Sequence, residues 1–318
     1  MRTAPVDRDV IPYDYLADRL DDVLDLRRAA VDTEDEALAA LGDAEVLVTT
    51  SRVPVTARVL AESNLELVAK FGTGIDSIDL DAAREAGVTV TYTPGLNALG
   101  VAEHTLTLLL AAARRLPAQQ EHLQSGGWRD ELPLSTQISG STVGIVGYGN
   151  VGRRVSGLLR GFNVDVLAHD PYVPDEDGQL FGVDLVDLHT LLAESDAVAV
   201  NAELTDETHH MIDADALATM RDSAFLVNTS RGPIVDEDAL VAALEGGDIA
   251  GAGLDVFESE PLEPDHPLFS FDNVVTTPHS AAMTVRTHEE VLDCIADTVR
   301  AYLAGETVPD RYVAVARP

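Results

Sequence analysis

Arg231, Glu260 and His279 each stand just beyond a short apolar run, and their side chains carry complementary chemistry. An arginine fork can hold a carboxylate through two parallel hydrogen bonds and polarise a neighbouring carbonyl. A histidine can pass a proton to or from a substrate oxygen, and a carboxylate beside it favours the charged imidazolium. Taken singly, each has a plainer reading. Most histidines are structural, and one glutamate means little in so acidic a chain. Together they supply an anion clamp and a proton donor, the groups that hydride reduction of a ketone requires.

A second constellation lies between Thr142 and Asp170. An apolar run from Val143 to Val146 reads as a buried parallel strand. Gly147, Gly149 and Gly152 follow in G-x-G-x-x-G spacing. Val151, Val155, Leu158 and Leu159 then give a helical pattern, and Val164, Val166 and Leu167 a second strand ending at Asp170. Gly147 permits the tight turn, Gly149 lets backbone approach a pyrophosphate, and Gly152 lets helix and strand pack closely. The helix N-terminus offers free N–H groups to phosphates, and Asp170 can accept from a ribose diol. Glycine spacing alone is a weak signal. Strand, glycines, helix, strand and acid in register specify a dinucleotide site. Pro171 and Tyr172 follow Asp170, with no arginine nearby to meet a 2′-phosphate, so the expected cofactor is NAD rather than NADP.

A third feature is Phe71-Gly72-Thr73-Gly74, which can expose consecutive N–H groups as an anion-binding nest or form an ordinary turn. Lys70 and, after the preceding strand, Arg52 would help attract an acid.

These residues need sheets to position them. Strands are expected at 46–48, 67–69 and 88–92, with helices at 56–63 and 80–86 between them. Residues 1–44 are harder to parse; a helix around 15–28 is expected, and no opening strand is clear. The longest helical pattern, 97–116, is expected to be stopped by Pro117 and to bridge two domains. Beyond Asp170, strands are expected at 197–200, 224–228, 251–256 and 274–276, and helices at 214–220, 237–245 and 289–303. Alternation of this kind means parallel sheets covered by helices, with ligands at the carboxyl ends of strands.

The chain is 318 residues long and 46% hydrophobic, enough for two domains with separate cores. It carries 55 acids against 21 bases, a net charge of −34, and Lys70 is its only lysine. So negative a field repels nucleic acid and anionic membrane, and neither is an expected partner. One cysteine, Cys294, excludes an intramolecular disulfide and a cysteine-cluster metal site, and no metal is expected. No signal peptide or apolar run of bilayer length is visible, so a cytoplasmic location is expected.

The segments KFGTGIDSIDL, NALGVAEHTLTLLL, GIVGYGNVGRRV with Asp170, VNTSRGPIVDEDAL, GLDVFESEPL and TPHSA together resemble the D-isomer-specific 2-hydroxyacid dehydrogenase family. That family includes D-3-phosphoglycerate dehydrogenases and glyoxylate/hydroxypyruvate reductases. The resemblance implies an α/β protein of two doubly wound parallel-sheet domains. A Rossmann NAD-binding domain, 98–284, would be inserted into a flavodoxin-like substrate domain of 1–97 and 285–318. It implies a catalytic Arg231, Glu260 and His279, and a substrate carboxylate held by backbone at Thr73 and Gly74. Cofactor contacts would fall at Gly147, Gly149, Asn150, Val151, Gly152, Asp170, Thr229, Ser230, Arg231, Asp255 and His279. It further implies a homodimer through the NAD-binding domain. The activity implied is interconversion of a small 2-oxo acid and its D-2-hydroxy acid. Alternatives are a D-3-phosphoglycerate or formate dehydrogenase, or an NADH-sensing corepressor-like binding protein. Two departures stand out. Asn201-Ala202-Glu203-Leu204-Thr205 replaces the family's frequent His-x-Pro-Leu-Thr, and Ser280-Ala281-Ala282-Met283 follows His279. The chain ends 39 residues after His279 (318 less 279), which weighs against the longer, feedback-regulated members.

The acids run through every region, a pattern expected of a halophilic protein. Near 1 M salt the Debye length falls to about 3 Å and self-repulsion is screened. The melting temperature should therefore rise as KCl is raised from about 0.1 M to about 3 M; a temperature independent of salt would exclude this origin for the charge.

Overall fold

The computed structural model describes residues 2–316. It divides into two compact units, one made of the chain up to Asn97 and from Met283 onward, the other of Ala98–Ala282.

The first unit runs β1 (Arg2–Asp7), α1 (Tyr13–Leu20), β2 (Leu24–Ala29), α2 (Glu34–Leu41), β3 (Val46–Thr49), α3 (Ala57–Glu62), β4 (Leu67–Lys70), α4 (Leu80–Ala86) and β5 (Thr89–Thr91). Its sheet is completed from the far end of the chain. The order is β13-β5-β4-β3-β1-β2, with β13 (Val313–Val315) antiparallel to β5 and all other pairs parallel. Strands β3, β4 and β5 are buried at every residue, as a sheet covered on both faces requires. One face packs against α1 and α12 (Val285–Leu303), whose Val291, Leu292, Ile295, Ala296 and Val299 form a buried helical stripe.

The second unit runs α5 (Ala98–Ala113), α6 (Leu116–Gln124), β6 (Thr142–Val146), α7 (Asn150–Leu159), β7 (Asp165–His169), α8 (Asp175–Phe181), β8 (Asp184–Leu185), α9 (Leu188–Glu194), β9 (Ala197–Val200), α10 (Ala214–Thr219), β10 (Phe225–Asn228), α11 (Glu237–Gly246), β11 (Gly251–Leu254) and β12 (Val274–Thr276). Its seven strands are parallel in the order β12-β11-β10-β9-β6-β7-β8. Separate apolar clusters cover the two faces. The chain moves one way from β6 to β8 and the other way from β9 to β12. The crevice therefore opens beyond the carboxyl ends of β6 and β9.

Several sequence expectations need correction. The helix expected over 15–28 ends at Leu20, and Leu24–Ala29 is a strand whose exposed Arg27 and Arg28 hid its periodicity. The 97–116 pattern is α5 alone, wholly within the second unit and packed against α7, β10 and β11, so it is no bridge. It ends at Ala113, Arg115 turns left-handed at φ 49°, and Pro117 lies in the first turn of α6 rather than stopping a helix. The closing helix begins at Val285, capped by Thr284, a turn earlier than expected. A further strand, β13, follows the strand at 274–276 and was not expected. Many acids serve locally: Asp79, Asp187, Asp213 and Asp236 each accept a backbone N–H as helix N-caps. Among the described residues no helix is long and apolar enough to cross a membrane.

Candidate active site

In the second unit the carboxyl end of β6 runs into the glycine turn. Gly147 has φ +92°, and a Cβ there would meet the Ala202 amide nitrogen at 2.5 Å. A Cβ on Gly152 would lie 2.2 Å from Gly147 O. Both positions are closed to side chains by the chain itself. Gly149 differs, since no atom lies within 4 Å of its would-be Cβ. It faces open space at the N-terminus of α7, where Asn150 and Val151 begin the helix. Asp170, just beyond β7, accepts from Tyr148 N (2.9 Å) and Tyr172 N (3.0 Å), one bond to each oxygen. The turn orients the carboxylate, and each oxygen keeps a lone pair for a ribose hydroxyl.

Sequence reasoning missed Asn201, at the end of β9. Its N–H donates to Val146 O (2.7 Å), which sets it beside the glycine turn. Thr105 Oγ1 donates to Val101 O (2.8 Å), so it accepts from Thr229 Oγ1 (2.7 Å). Thr229 in turn accepts from Asn201 Nδ2 (3.4 Å), which fixes the amide orientation. Asn201 Oδ1 is left as a buried acceptor without a hydrogen-bond partner. An orphaned acceptor is costly in a folded chain. Its place beside an open glycine turn and a presented carboxylate fits a dinucleotide. The departure from the family pattern at Asn201-Ala202-Glu203 was the available signal.

The loop after β10 is shaped by Asn228. Its Oδ1 accepts both the N–H (3.0 Å) and hydroxyl (2.9 Å) of Ser230, and its Nδ2 donates to Arg231 O (2.9 Å). Thr229 and Ser230 thus spend their hydroxyl protons inside the protein and leave only lone pairs for a ligand. Gly232 packs directly on the next loop, where its Cβ would fall 1.9 Å from the Phe257 carbonyl. That contact sets the Arg231 loop against the turn that carries Glu260.

Glu260 Oε1 accepts from Phe257 N (3.1 Å), and Oε2 lies 2.8 Å from His279 Nδ1. The hydrogen bond to Glu260 is the main cause that raises the His279 pKa above its ordinary value. Burial and the Arg231 charge oppose it. Burial pushes Glu260 up, but the hydrogen bond and charge of His279 outweigh it and the carboxyl sits below its ordinary value.

His279 has φ +50°, a left-handed conformation that costs a non-glycine residue on the order of 1 kcal/mol. Asp255 holds it there. Its carbonyl accepts from His279 N (2.8 Å), and its carboxylate accepts from Thr277 Oγ1 (2.5 Å), Ser280 N (2.9 Å) and Ala281 N (2.8 Å). The Asp255 side chain is fully buried. Burial raises its pKa, but His104 Nε2 nearby at 3.5 Å and the hydrogen bonds of Thr277 and the two amides bring it below the ordinary value.

In the first unit, Gly72 N donates to Thr93 Oγ1 (3.0 Å), while the Thr73 and Gly74 N–H groups have no protein acceptor among the described residues. The nest therefore begins at Thr73. Lys70 is buried, at 1% exposure, with Nζ donating to Phe71 O (2.7 Å). The Arg52 guanidinium pairs with Asp9 (2.5 Å) and Asp32 (3.6 Å).

The comparisons agree with this architecture. Residues 106–281 match the family model described as D-isomer specific 2-hydroxyacid dehydrogenase, NAD binding domain. The chain is 41% identical over 292 residues to D-3-phosphoglycerate dehydrogenase of Mycobacterium tuberculosis, covering 92% of this chain and 55% of that one. It is 39% identical to glyoxylate reductase of Korarchaeum cryptofilum, covering 84% and 82%. The crystal structure of the TT0316 protein from Thermus thermophilus superposes with a TM-score of 0.90 at 34% identity, over 99% of this chain and 100% of that one. The chain belongs to the D-isomer specific 2-hydroxyacid dehydrogenase family. It spans about half the length of the mycobacterial relative.

The His279–Glu260 pair makes a direct prediction. The folded-state pKa is raised, so the stabilisation is present at low pH and is lost as pH rises through that pKa. NMR titration of the His279 ring should give a midpoint above the free-imidazole value of about 6.5. Glu260→Gln should bring it down; equal midpoints in the two proteins would break the assignment.

Proposed function

We propose that this protein is an NAD(H)-dependent D-2-hydroxyacid dehydrogenase that reduces a small 2-oxo acid such as glyoxylate or hydroxypyruvate. The observation that carries the reading is the 2.8 Å His279–Glu260 pair on the same sheet edge as the glycine turn. In this reading the first unit is the substrate domain and the second holds the dinucleotide through Gly149, Asn150, Val151 and Asp170. Asp170, with no arginine before Arg221, favours NAD over NADP.

Bound nicotinamide supplies or accepts the hydride. Arg231 holds the substrate carboxylate and polarises its carbonyl. Glu260 bonds Nδ1 of His279, so Nδ1 keeps its proton and Nε2 faces the chemistry. Only the imidazolium can donate from Nε2, and the raised pKa keeps that form available near neutrality. After reduction His279 is left neutral, ready to accept the proton in the reverse direction. Within the first unit, the N–H groups of Thr73 and Gly74 form a nest suited to an anion.

The charges near the nest favour a singly charged substrate. Arg52 is already matched by Asp9 and Asp32, Asp7 is buried alongside, and Lys70 is turned onto Phe71 O. A phosphorylated 2-oxo acid would bring further negative charge to this acidic surround.

A homodimer through the second unit belongs to the same proposal. Helix α6 buries none of its residues, and Leu116, Leu123, Trp128 and Leu134 are exposed along α6 and the segment after it. A nine-residue helix without a covered face is marginal by itself.

Two experiments test the reading. Glyoxylate or hydroxypyruvate should support NADH oxidation in molar KCl in preference to 3-phosphohydroxypyruvate, and His279→Ala should lower kcat by at least about 10²-fold. Equal NADH consumption by wild type and variant would refute the role of His279. Light scattering should find a dimer, converted to monomer by Leu123→Glu with Trp128→Glu; a wild-type monomer would remove the dimer from the proposal.

A further inference from the structure

His210 lies on the loop after β9 and touches both loops that bear the proposed catalytic groups. Its backbone N–H donates to Pro233 O (2.8 Å), two residues past Arg231. The segment continues beside that loop, with Ile212 N donating to Ile234 O (3.0 Å) and Asp236 N donating to Ile212 O (3.0 Å). Its ring Nε2 bonds Glu258 Oε1 (2.5 Å), two residues before Glu260. Glu258 is held from a second side, since its N–H donates to Glu237 Oε2 (3.3 Å) and Glu237 Oε1 pairs with His266 Nε2 (3.1 Å).

The two loops meet without slack where Gly232 abuts the Phe257–Glu258 peptide. A displacement of Glu258 would therefore carry into the Phe257–Glu260 turn, which closes through Phe257 N to Glu260 Oε1. His210 adopts φ +51°, a conformation costly for a non-glycine residue and kept only where surrounding bonds over-determine it. Those bonds are the two just described.

We propose that His210 is a positioning residue for the reaction, one that ties the Arg231 loop to the Glu260 turn and so holds Glu260 on His279. The inference rests on the dehydrogenase reading above. The groups facing the His210 ring are Glu258, Asp236 at 3.8 Å from Nδ1, and the His209 ring at 4.1 Å between centroids. The His210 and Glu258 side chains are 37% and 35% exposed, so as an ion pair they contribute little to stability. Their effect belongs to geometry.

The test compares wild type with His210→Asn, since asparagine tolerates left-handed backbone but is too short to reach Glu258. Purified proteins are assayed with NADH and glyoxylate across pH, and the His279 ring is titrated by NMR. The variant should keep its melting temperature and NADH affinity, lose about tenfold in kcat, and show a lower His279 midpoint with the alkaline limb of reduction moved down. Glu258→Gln, which retains an acceptor for His210, should fall between wild type and Glu258→Ala. Unchanged kcat and His279 titration in folded His210→Asn would overturn the proposal. Should that variant fail to fold, Glu258→Ala carries the same readouts. Absence of turnover in wild type would count against the dehydrogenase reading alone, because the NMR midpoint still reports on His210.

Discussion

The edge of the second unit's sheet that carries His279 depends on one buried charge, the carboxylate of Asp255. A carboxylate removed from water is tolerable only when donors replace its hydration. Here they come from Thr277, Ser280 and Ala281, all in the turn that carries His279. The satisfaction of Asp255 and the left-handed backbone of His279 are therefore one structural fact. Proton counting extends it to helix α5. The Thr277 hydroxyl gives its single proton to Asp255, so at Thr277 Oγ1 it can only accept, and His104 Nε2 must donate to it (2.9 Å). The long helix beneath the sheet edge thereby fixes the rotation of the threonine that orients the turn.

The geometry around Arg231 follows a different rule, close approach rather than charge. Gly232 leaves no room between its loop and the Phe257 carbonyl, and Asn228 ties off Ser230 and Arg231 from inside. Asp255 fixes where the imidazole stands, and the packed loops fix where its carboxylate partner stands. The His279–Glu260 pair forms where the two constraints meet.

The sequence made the glycine turn, the parallel strands and the Arg231, Glu260 and His279 loops legible, because each answers a local steric or periodic demand. Gly147 and Gly152 are forced by backbone contacts that the spacing already implies. What stayed hidden has non-local causes. Leu24–Ala29 forms a strand by pairing with β1 despite two exposed arginines, and Val313–Val315 by pairing antiparallel with β5. The break between α5 and α6 rests on the left-handed Arg115 rather than on Pro117. Asn201, His104 and His210 gain their roles from partners far along the chain. Arg52 was readable as a cation, but the aspartates that claim it arrive from other loops.

Lys70 has a consequence outside catalysis. It is the sole lysine of the chain, and it lies sealed at the end of β4 with its ammonium on the Phe71 carbonyl. The folded surface thus presents no side-chain amine to acylating reagents, aldehyde crosslinkers or enzymes that modify lysine. Covalent capture of that one nitrogen requires the β4 end to open, which makes the amine a built-in clock for local unfolding of the first unit.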